Sequence, residues 1–600
     1  MAGFLDELKR RHVMRAAVAY LVVAWLVVQV ADVMIDLAGL PDWIGQVVLW
    51  LLAIAFPIVL VVSWFYEITP QGITADSDIP RTESAVHLSR RRFELIVMSL
   101  LAAAVLLFAY DKWWTGARVE QSIAVLPFVD LSPDGDQGYF SDGIAEELLN
   151  ELTKLRGLRV AGRTSSFSFR NSNQDVREIG KQLSVANVLE GSVRKSGDRF
   201  RISVQLVAAS DGFELWSQSF DRDLTDIFTV QEQIAKAVAT ALSVSLGVGE
   251  IGFAAGGTRN FEAYDARLEA QSILLNLGPE NIPDAIILLE RAVELDPGYG
   301  DAWSTLGEAY SRARFFSDPS QARTYIEKSE NAVRRAIDVA PQAIGSLRAQ
   351  GGQLRRHGRF REAEQAFERA LELAPGDLSV NISYGNFLLS VGRATEAIGA
   401  FATAAKADPL AMAPLLALSE ARVAVEDFDR ALGDLYRAKD LIGNELILDA
   451  SIALVAMEAD ERELLEQYLE LLAKRETPSR DGRTFSQEML ALLDSPEIAR
   501  QELRQIYAEP MSPLRPPDTV ILFWAAHFGD DELVLEMTRS NVELQGTLTA
   551  IVWRPLFKGI RRLPGFKELV SQSGLVEYWR SSGNWGQFCR PIGDTDFECM

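Results

Sequence analysis

The chain has 600 residues, with 60 Lys and Arg against 83 Asp and Glu, a formal net charge of −23. This length suffices for several domains. The acidic balance argues against nucleic-acid binding, because phosphate contacts need a concentrated basic face.

The first 118 residues are the most apolar. Ala16–Val30 is almost wholly apolar, Trp43–Phe65 is an apolar run broken by Gly45, Gln46, Pro57 and Ser63, and Leu95–Ala109 is a third, shorter run. About 20 apolar residues cross a bilayer. The pattern therefore predicts a membrane anchor with three transmembrane helices, at about 14–36, 43–66 and 93–112. A cleaved signal peptide is not expected, since two further spans follow the first. Trp43, Trp64, Trp113 and Trp114 stand at span ends, where amphipathic rings prefer the headgroups. Lys9, Arg10, Arg11 and Arg15 precede the first span, and Arg81, Arg90, Arg91 and Arg92 lie between the second and third. The positive-inside rule then predicts a cytoplasmic N-terminus and places everything after Trp114 on the far side. Asp32 and Asp36 sit near the outer end of the first span and can reach the interface.

From Gln121 the pattern is that of an α/β domain. Ser122–Phe128 reads as a buried strand, Ile144–Leu155 as a helix with Asp142 as its N-cap, and Leu158–Val160 as a second strand. Val176–Leu183 reads as a helix. Asn187–Ser196 and Arg199–Ala208 read as a hairpin around Gly197-Asp198, Glu214–Phe220 as a further strand and Ile227–Leu246 as a long helix.

The strings A-V-L-P-F (124–128), F-S-D-G-I-A-E-E-L (140–148), V-L-E-G-S-V-R (188–194) and L-W-S-Q-S-F-D-R (215–222) resemble the TolB N-terminal-like domain. The blocks E-L-K-R-R-H-V (7–13) and F-Y-E-I-T-P-Q-G-I (65–73) resemble the multi-span anchor of bacterial proteins that carry this domain ahead of a repeat array. G-L-V-E-Y-W-R (574–580) and F-C-R-P (588–591) resemble their closing segment. The resemblance implies a bacterial membrane-anchored protein, and with the topology above the expectation is a multi-pass inner-membrane protein with a cytoplasmic N-terminus and periplasmic C-terminal domains. Relatives carry a DNA-binding winged helix or a nucleotide cyclase domain, which implies sensing or relay. Residues 1–118 read as too short and too apolar for either.

Residues 248–260 read as a flexible linker, since Gly252–Gly257 lacks the Lys-Ser/Thr of a phosphate loop. Beyond it, Pro341, Pro375 and Pro409 stand 34 residues apart, the period of tetratricopeptide repeats. Gly351, Ala363, Phe367 and Ala370 precede Pro375 at the offsets at which Gly385, Ala397, Phe401 and Ala404 precede Pro409. Trp303, Leu306, Gly307 and Tyr310 match the opening pattern W-x2-L-G-x2-Y. Pro297 precedes Pro341 by 44 residues, so this unit carries ten extra residues, predicted around Phe315–Gln321 in its turn. The array is predicted over 261–475, followed by a helical C-terminal extension over 476–600. The only cysteines, Cys589 and Cys599, read as a disulfide on the oxidising side of a membrane.

The four histidines, His12, His87, His357 and His527, lack metal-ligand spacing, and no nucleophile-elbow or phosphate-loop motif occurs. Asp142, Glu146 and Glu147 form an acidic cluster that a helix N-terminus favours without any function. No catalytic residue, metal or cofactor is expected. The fold class expected is multidomain: transmembrane helices, then an α/β domain, then an all-α solenoid. The function expected is a membrane-anchored periplasmic scaffold or adaptor with a protein or peptide in the groove of the array, the lipid bilayer as its support and no nucleic acid. The alternative is a sensory or relay component coupling periplasmic binding to a cytoplasmic effector. Groove contacts are predicted at Tyr299, Trp303, Arg348, Asn381, Tyr384 and Asn386, and an anion contact at Arg355, Arg356, Arg359 and Arg361.

Overall fold

The computed structural model divides into two units, Met1–Arg118 and Val119–Met600. Of the first it describes residues 20, 23–25, 27–28, 52, 55–56, 66–69 and 72–75; of the second, 121–600 with breaks at 156, 171, 198, 243–255, 277–278, 318, 444, 479–481, 510–514 and 546.

In the first unit, β1 (Tyr66–Thr69) pairs antiparallel with β2 (Gly72–Ala75), and the Tyr20 hydroxyl donates to the Leu52 carbonyl at 2.5 Å. The predicted spans at 14–36, 43–66 and 93–112 lie largely outside the described residues. Among the described residues, no helix is long and apolar enough to cross a membrane. This overturns the transmembrane part of the expected fold class. The multi-pass inner-membrane location falls with it, because counting Lys and Arg on either side has meaning only where continuous apolar helices of about 20 residues exist. The fold class is an α/β region followed by an all-helical solenoid.

The α/β region begins with β3 (Gln121–Val125) and β4 (Val129–Asp130), then α1 (Gly138–Thr153), β5 (Leu158–Val160), α2 (Arg163–Phe167) and α3 (Val176–Leu183). Next come β6 (Asn187–Ser196), β7 (Arg199–Ala208), β8 (Glu214–Asp223) and α4 (Ile227–Ala241). The sheet order is β5-β3-β6-β7-β8, with β4 also on β6; β3 runs parallel to β5 and β6, while β6, β7 and β8 form an antiparallel meander. Strand alternation assigns the faces. Ile123 and Val125 join α1 and α4 in one core, and Ala124 and Leu126 join Ile179 and Leu183 of α3 in another. Asp142 is not the N-cap of α1. The helix starts at Gly138, and Asp142 is buried within it and salt-bridged to Arg170.

Among the described residues, six helical pairs follow. They are α5/α6 (Phe261–Asn276, Ile282–Leu295), α7/α8 (Gly300–Ala313, Pro319–Val339), α9/α10 (Ile344–Arg356, Phe360–Leu373), α11/α12 (Leu378–Ser390, Ala394–Ala407), α13/α14 (Met412–Ala424, Phe428–Ile442) and α15/α16 (Leu446–Glu458, Arg462–Ala473). First helices of successive pairs pack on one another. The turn inside a pair needs one left-handed residue, and it recurs every 34 positions, at Gly358, Gly392, Glu426 and Asp460. Within pairs, the small residues allow close approach. A Cβ on Gly351 would stand 2.8 Å from the Phe367 ring, and one on Gly385 would stand 2.4 Å from the Phe401 ring. The ten extra residues of the second pair go partly into its turn and partly into α8, which runs for 21 residues.

Pairing continues with α17/α18 (Phe485–Leu492, Pro496–Ala508) and α19/α20 (Asp518–His527, Asp531–Gln545). The chain then runs back along the turn edge of the array through α21 (Lys558–Arg561), α22 (Pro564–Gln572), α23 (Leu575–Ser582) and the hairpin β9 (Cys589–Ile592) with β10 (Asp596–Cys599). Two indoles fix it there: Trp553 Nε1 donates to the Ser390 carbonyl at 3.2 Å, and Trp579 Nε1 to the Val391 carbonyl at 2.9 Å. Both rings are fully buried. Arg393 reaches Tyr578, Lys558 pairs with Glu426, and Arg554 with Glu458. Cys589 and Cys599 are joined by a disulfide.

Candidate partner-binding surface

The six predicted groove residues fall into two groups. Tyr299 is buried at the start of α7, where its hydroxyl accepts from Arg267 Nε. Asn381 is also buried, and its Nδ2 donates to the carbonyls of Pro375 at 2.9 Å and Asp377 at 2.8 Å. The side-chain polar groups of both are engaged inside the fold. Trp303, Arg348, Tyr384 and Asn386 keep exposed or half-exposed surface on α7, α9 and α11. Trp303 Nε1 donates to the Pro297 carbonyl at 3.0 Å, and the Arg335 guanidinium lies over its ring. Arg348 bridges from α9 to Glu308 on α7 at 2.9 Å; this pair holds the carboxyl below its usual range and the guanidinium above it. Tyr384 stacks on Phe387 with ring centroids 6.1 Å apart, and burial raises its phenol.

The four predicted anion contacts also divide. Arg359 is held by Glu362, and Arg361 reaches the carbonyl and hydroxyl of Ser581 on α23. Arg355 and Arg356 close α9 half-buried, and neither makes an ion pair or hydrogen bond through its guanidinium with a described residue. Burial, with Arg356 and Arg314 nearby, pushes Arg355 down to about 10.

The acidic cluster of α1 serves as adhesive for the first pair. Glu147 meets the buried Arg267 of α5, Glu146 pairs with Arg163 at 2.9 Å and accepts from Gln271 at 2.5 Å, and Tyr139 donates to Asp265 at 3.1 Å. Burial raises Glu146, against the opposing pull of Arg163. A second contact lies at the turn after α12. Asp408, wholly buried, accepts from the Thr164 and Ser165 amides at 3.1 and 2.7 Å, and Gly162 N–H donates to the Ala407 carbonyl at 2.6 Å. No sequence signal linked these residues, because a single aspartate carries no record of a partner more than 200 positions away.

Comparison with known proteins follows the same division. Residues 354–421 match the family model described as tetratricopeptide repeat. Over that span the helical pairs are tetratricopeptide repeats. Repeats of this kind bind protein or peptide partners through stacked first helices. Residues 275–348 match the model of the plant-specific mitochondrial import receptor subunit TOM20, and residues 119–237 that of the second domain of HilA/YgeH-like transcriptional regulators. A putative adenylate cyclase 3 of Rhizobium meliloti (strain 1021) is 39% identical over 186 residues, which is 31% of this chain and 32% of that protein. The match thus spans about a third of the relative's length. Among solved structures, PilF of Pseudomonas aeruginosa is 17% identical with a TM-score of 0.28, covering 36% of this chain and 91% of its own. PilW, a type IV pilus biogenesis factor, is 16% identical with a TM-score of 0.30, covering 36% of this chain and 94% of its own.

Proposed function

We propose that this chain is a non-enzymatic adaptor whose repeat array holds a protein or peptide segment on its first helices. The observation that carries this is the run of polar and aromatic surface on successive first helices: Trp303 on α7, Arg348 on α9, and Tyr384 and Asn386 on α11. Solvated aromatics beside a charge and an amide suit an extended peptide, whose backbone needs hydrogen-bond partners and whose side chains need apolar contact. The α/β region, with its likeness to the TolB N-terminal-like domain, is in this reading the second attachment point. The test is affinity capture from a source lysate with the chain and with a Tyr384→Ala/Asn386→Ala variant, followed by mass spectrometry. One or more proteins captured by the first and lost by the second is the expected outcome. Identical capture by both would sink the groove assignment.

A second reading, a relay component acting on a separate effector, is favoured by the 39% identity with a protein named as a putative adenylate cyclase. Cyclic nucleotide formed from ATP by the purified chain alone would overturn the non-enzymatic reading.

A further inference from the structure

We propose that β8, the outer strand of the α/β sheet, pairs antiparallel with β8 of a second copy of this chain about a two-fold axis at Ser219. Such pairing joins two chains side by side, whatever segment the array holds.

The sheet has two ends. β5 at one end is three residues long, whereas β8 at the other is ten. Among the described residues, no strand pairs with the outer side of β8. Proteins ordinarily blunt such an edge with Lys, Pro or a bulge. β8 holds neither Lys nor Pro. Its register shift lies at its start, opposite Leu206 and Val207, so Trp216–Asp223 pairs regularly with β7. Phe213 and Leu215 stand 72% and 49% exposed beside this edge.

The register fixes where the backbone groups point. The Ala208 amide donates to the Phe213 carbonyl at 2.9 Å, and the Ala209 amide to the Ala186 carbonyl on the β6 side at 2.8 Å. Even-numbered residues of β7 therefore bond toward β8, and their partners Trp216, Gln218, Phe220 and Arg222 bond inward. Ser217, Ser219 and Asp221 direct their amides and carbonyls outward. In keeping with this, the Asp221 carbonyl accepts from the Arg222 guanidinium at 2.9 Å.

An axis at Ser219 sets Ser217 opposite Asp221 and Ser219 opposite itself, so each outward group of these residues meets a partner. On the solvent face, the Ser217 hydroxyl comes opposite the Asp221 carboxylate, which already holds Arg199 and Arg201. On the other face, Trp216, half-buried against the core, comes opposite Arg222 of the second copy, a cation beside an indole. Moving the axis to Gln218 puts Asp221 opposite Leu215, at the register shift. Moving it to Phe220 puts Trp216 opposite residue 224, beyond the strand. The matched side chains come from one strand used twice, as an isologous contact requires.

The test is sedimentation velocity of the full chain over a range of concentrations. A dimer that dissociates on dilution is expected. Ser219→Lys changes an exposed residue and sets two cations opposite each other, so it should weaken dimerisation about tenfold or more. Ser571→Lys, an equal charge on an exposed helical position, should stay within about twofold. A second arm reads the register. The two native cysteines are joined to each other, so Ser219→Cys supplies a single free thiol. Directly opposite residues of a hydrogen-bonded pair have Cα atoms about 5.5 Å apart, within disulfide reach. Mild oxidation should give a covalent dimer with Ser219→Cys and little with Asp223→Cys, whose two copies stand about 27 Å apart. A monomer at every concentration, a dimer that Ser219→Lys leaves intact, or equal cross-linking at both positions would overturn the proposal. A monomer that captures another protein through this edge, and loses it with Ser219→Lys, would assign the edge to a foreign strand and overturn it too.

Discussion

Asp408 caps the N-terminus of the helix that holds Ser165. The α2 helix has five residues and its own N-cap residue is Gly162, which offers no side chain. The carboxylate of Asp408 fills that role from the far end of the fourth repeat, taking two amides and the Ser165 hydroxyl, while the Leu410 amide donates back to that hydroxyl at 2.7 Å. Carboxylates at helix N-termini satisfy orphan donors and complement the dipole. One side chain thus fixes the α/β region to the array at a point distant from its covalent connection.

Asp408→Ala should therefore cost about 2–4 kcal/mol, since it leaves buried donors without acceptors. The local readout is hydrogen exchange. Amides of Thr164 and Ser165 should lose protection while those of β6 and β7 keep theirs. Unchanged exchange at Thr164 and Ser165 would mean that the cap is not what orders α2.

Arg554 and Glu458 form a pair at 2.6 Å, with Glu458 wholly buried and Arg554 also stacked on the Phe523 ring. Breaking a buried pair from one side leaves an uncompensated charge. Arg554→Met should lose about 3–5 kcal/mol in urea unfolding, and adding Glu458→Leu should restore most of it. A double variant as unstable as the single would show that Arg554 acts through packing on Phe523 instead.

Asp301 gives a pH signature. Burial, opposed by Arg267 and reinforced by Glu147, raises its carboxyl to about 6. A carboxyl raised in the folded state stabilises most below its unfolded value of about 3.9, and that contribution is lost as pH rises through about 6. Asp301→Asn should thus match the unaltered chain near pH 4 and exceed it by roughly 1–3 kcal/mol near pH 7.5. The same difference at both pH values would refute the assignment.

Asp460 is a non-glycine residue held at φ 58, where the third and fourth pairs use Gly358 and Gly392. Asp460→Gly should raise stability by about 0.5–1 kcal/mol, since only glycine adopts that backbone without strain. A lower melting temperature would show that its side chain contributes more than its backbone costs.

Much of the architecture was legible locally. Alternation gave the hairpin Asn187–Ser196 and Arg199–Ala208, and helical spacing gave Val176–Leu183. The 34-residue proline spacing reappears in the left-handed turn residues. Where the reading failed, a local signal competed with a tertiary one. Asp142 has the chemistry of an N-cap, yet Gly138–Ser141 join the helix because Phe140 fits the core beneath it and Arg170 takes the carboxylate. Apolar runs in the first 118 residues predicted spans, but composition alone does not establish one continuous helix.

By itself, the sequence determined what short-range periodicity encodes: strands with period two, helices, and a 34-residue repeat with small residues and a phenylalanine at fixed offsets. Only the tertiary structure decided which residues meet across long separations: Ser165 with Asp408, Arg267 with Glu147, and Trp579 with Val391. The reason is physical. A side chain's propensity acts within a few residues of its own backbone, whereas an acid or an indole finds a distant partner only after the solenoid has curved and the chain has turned back along it.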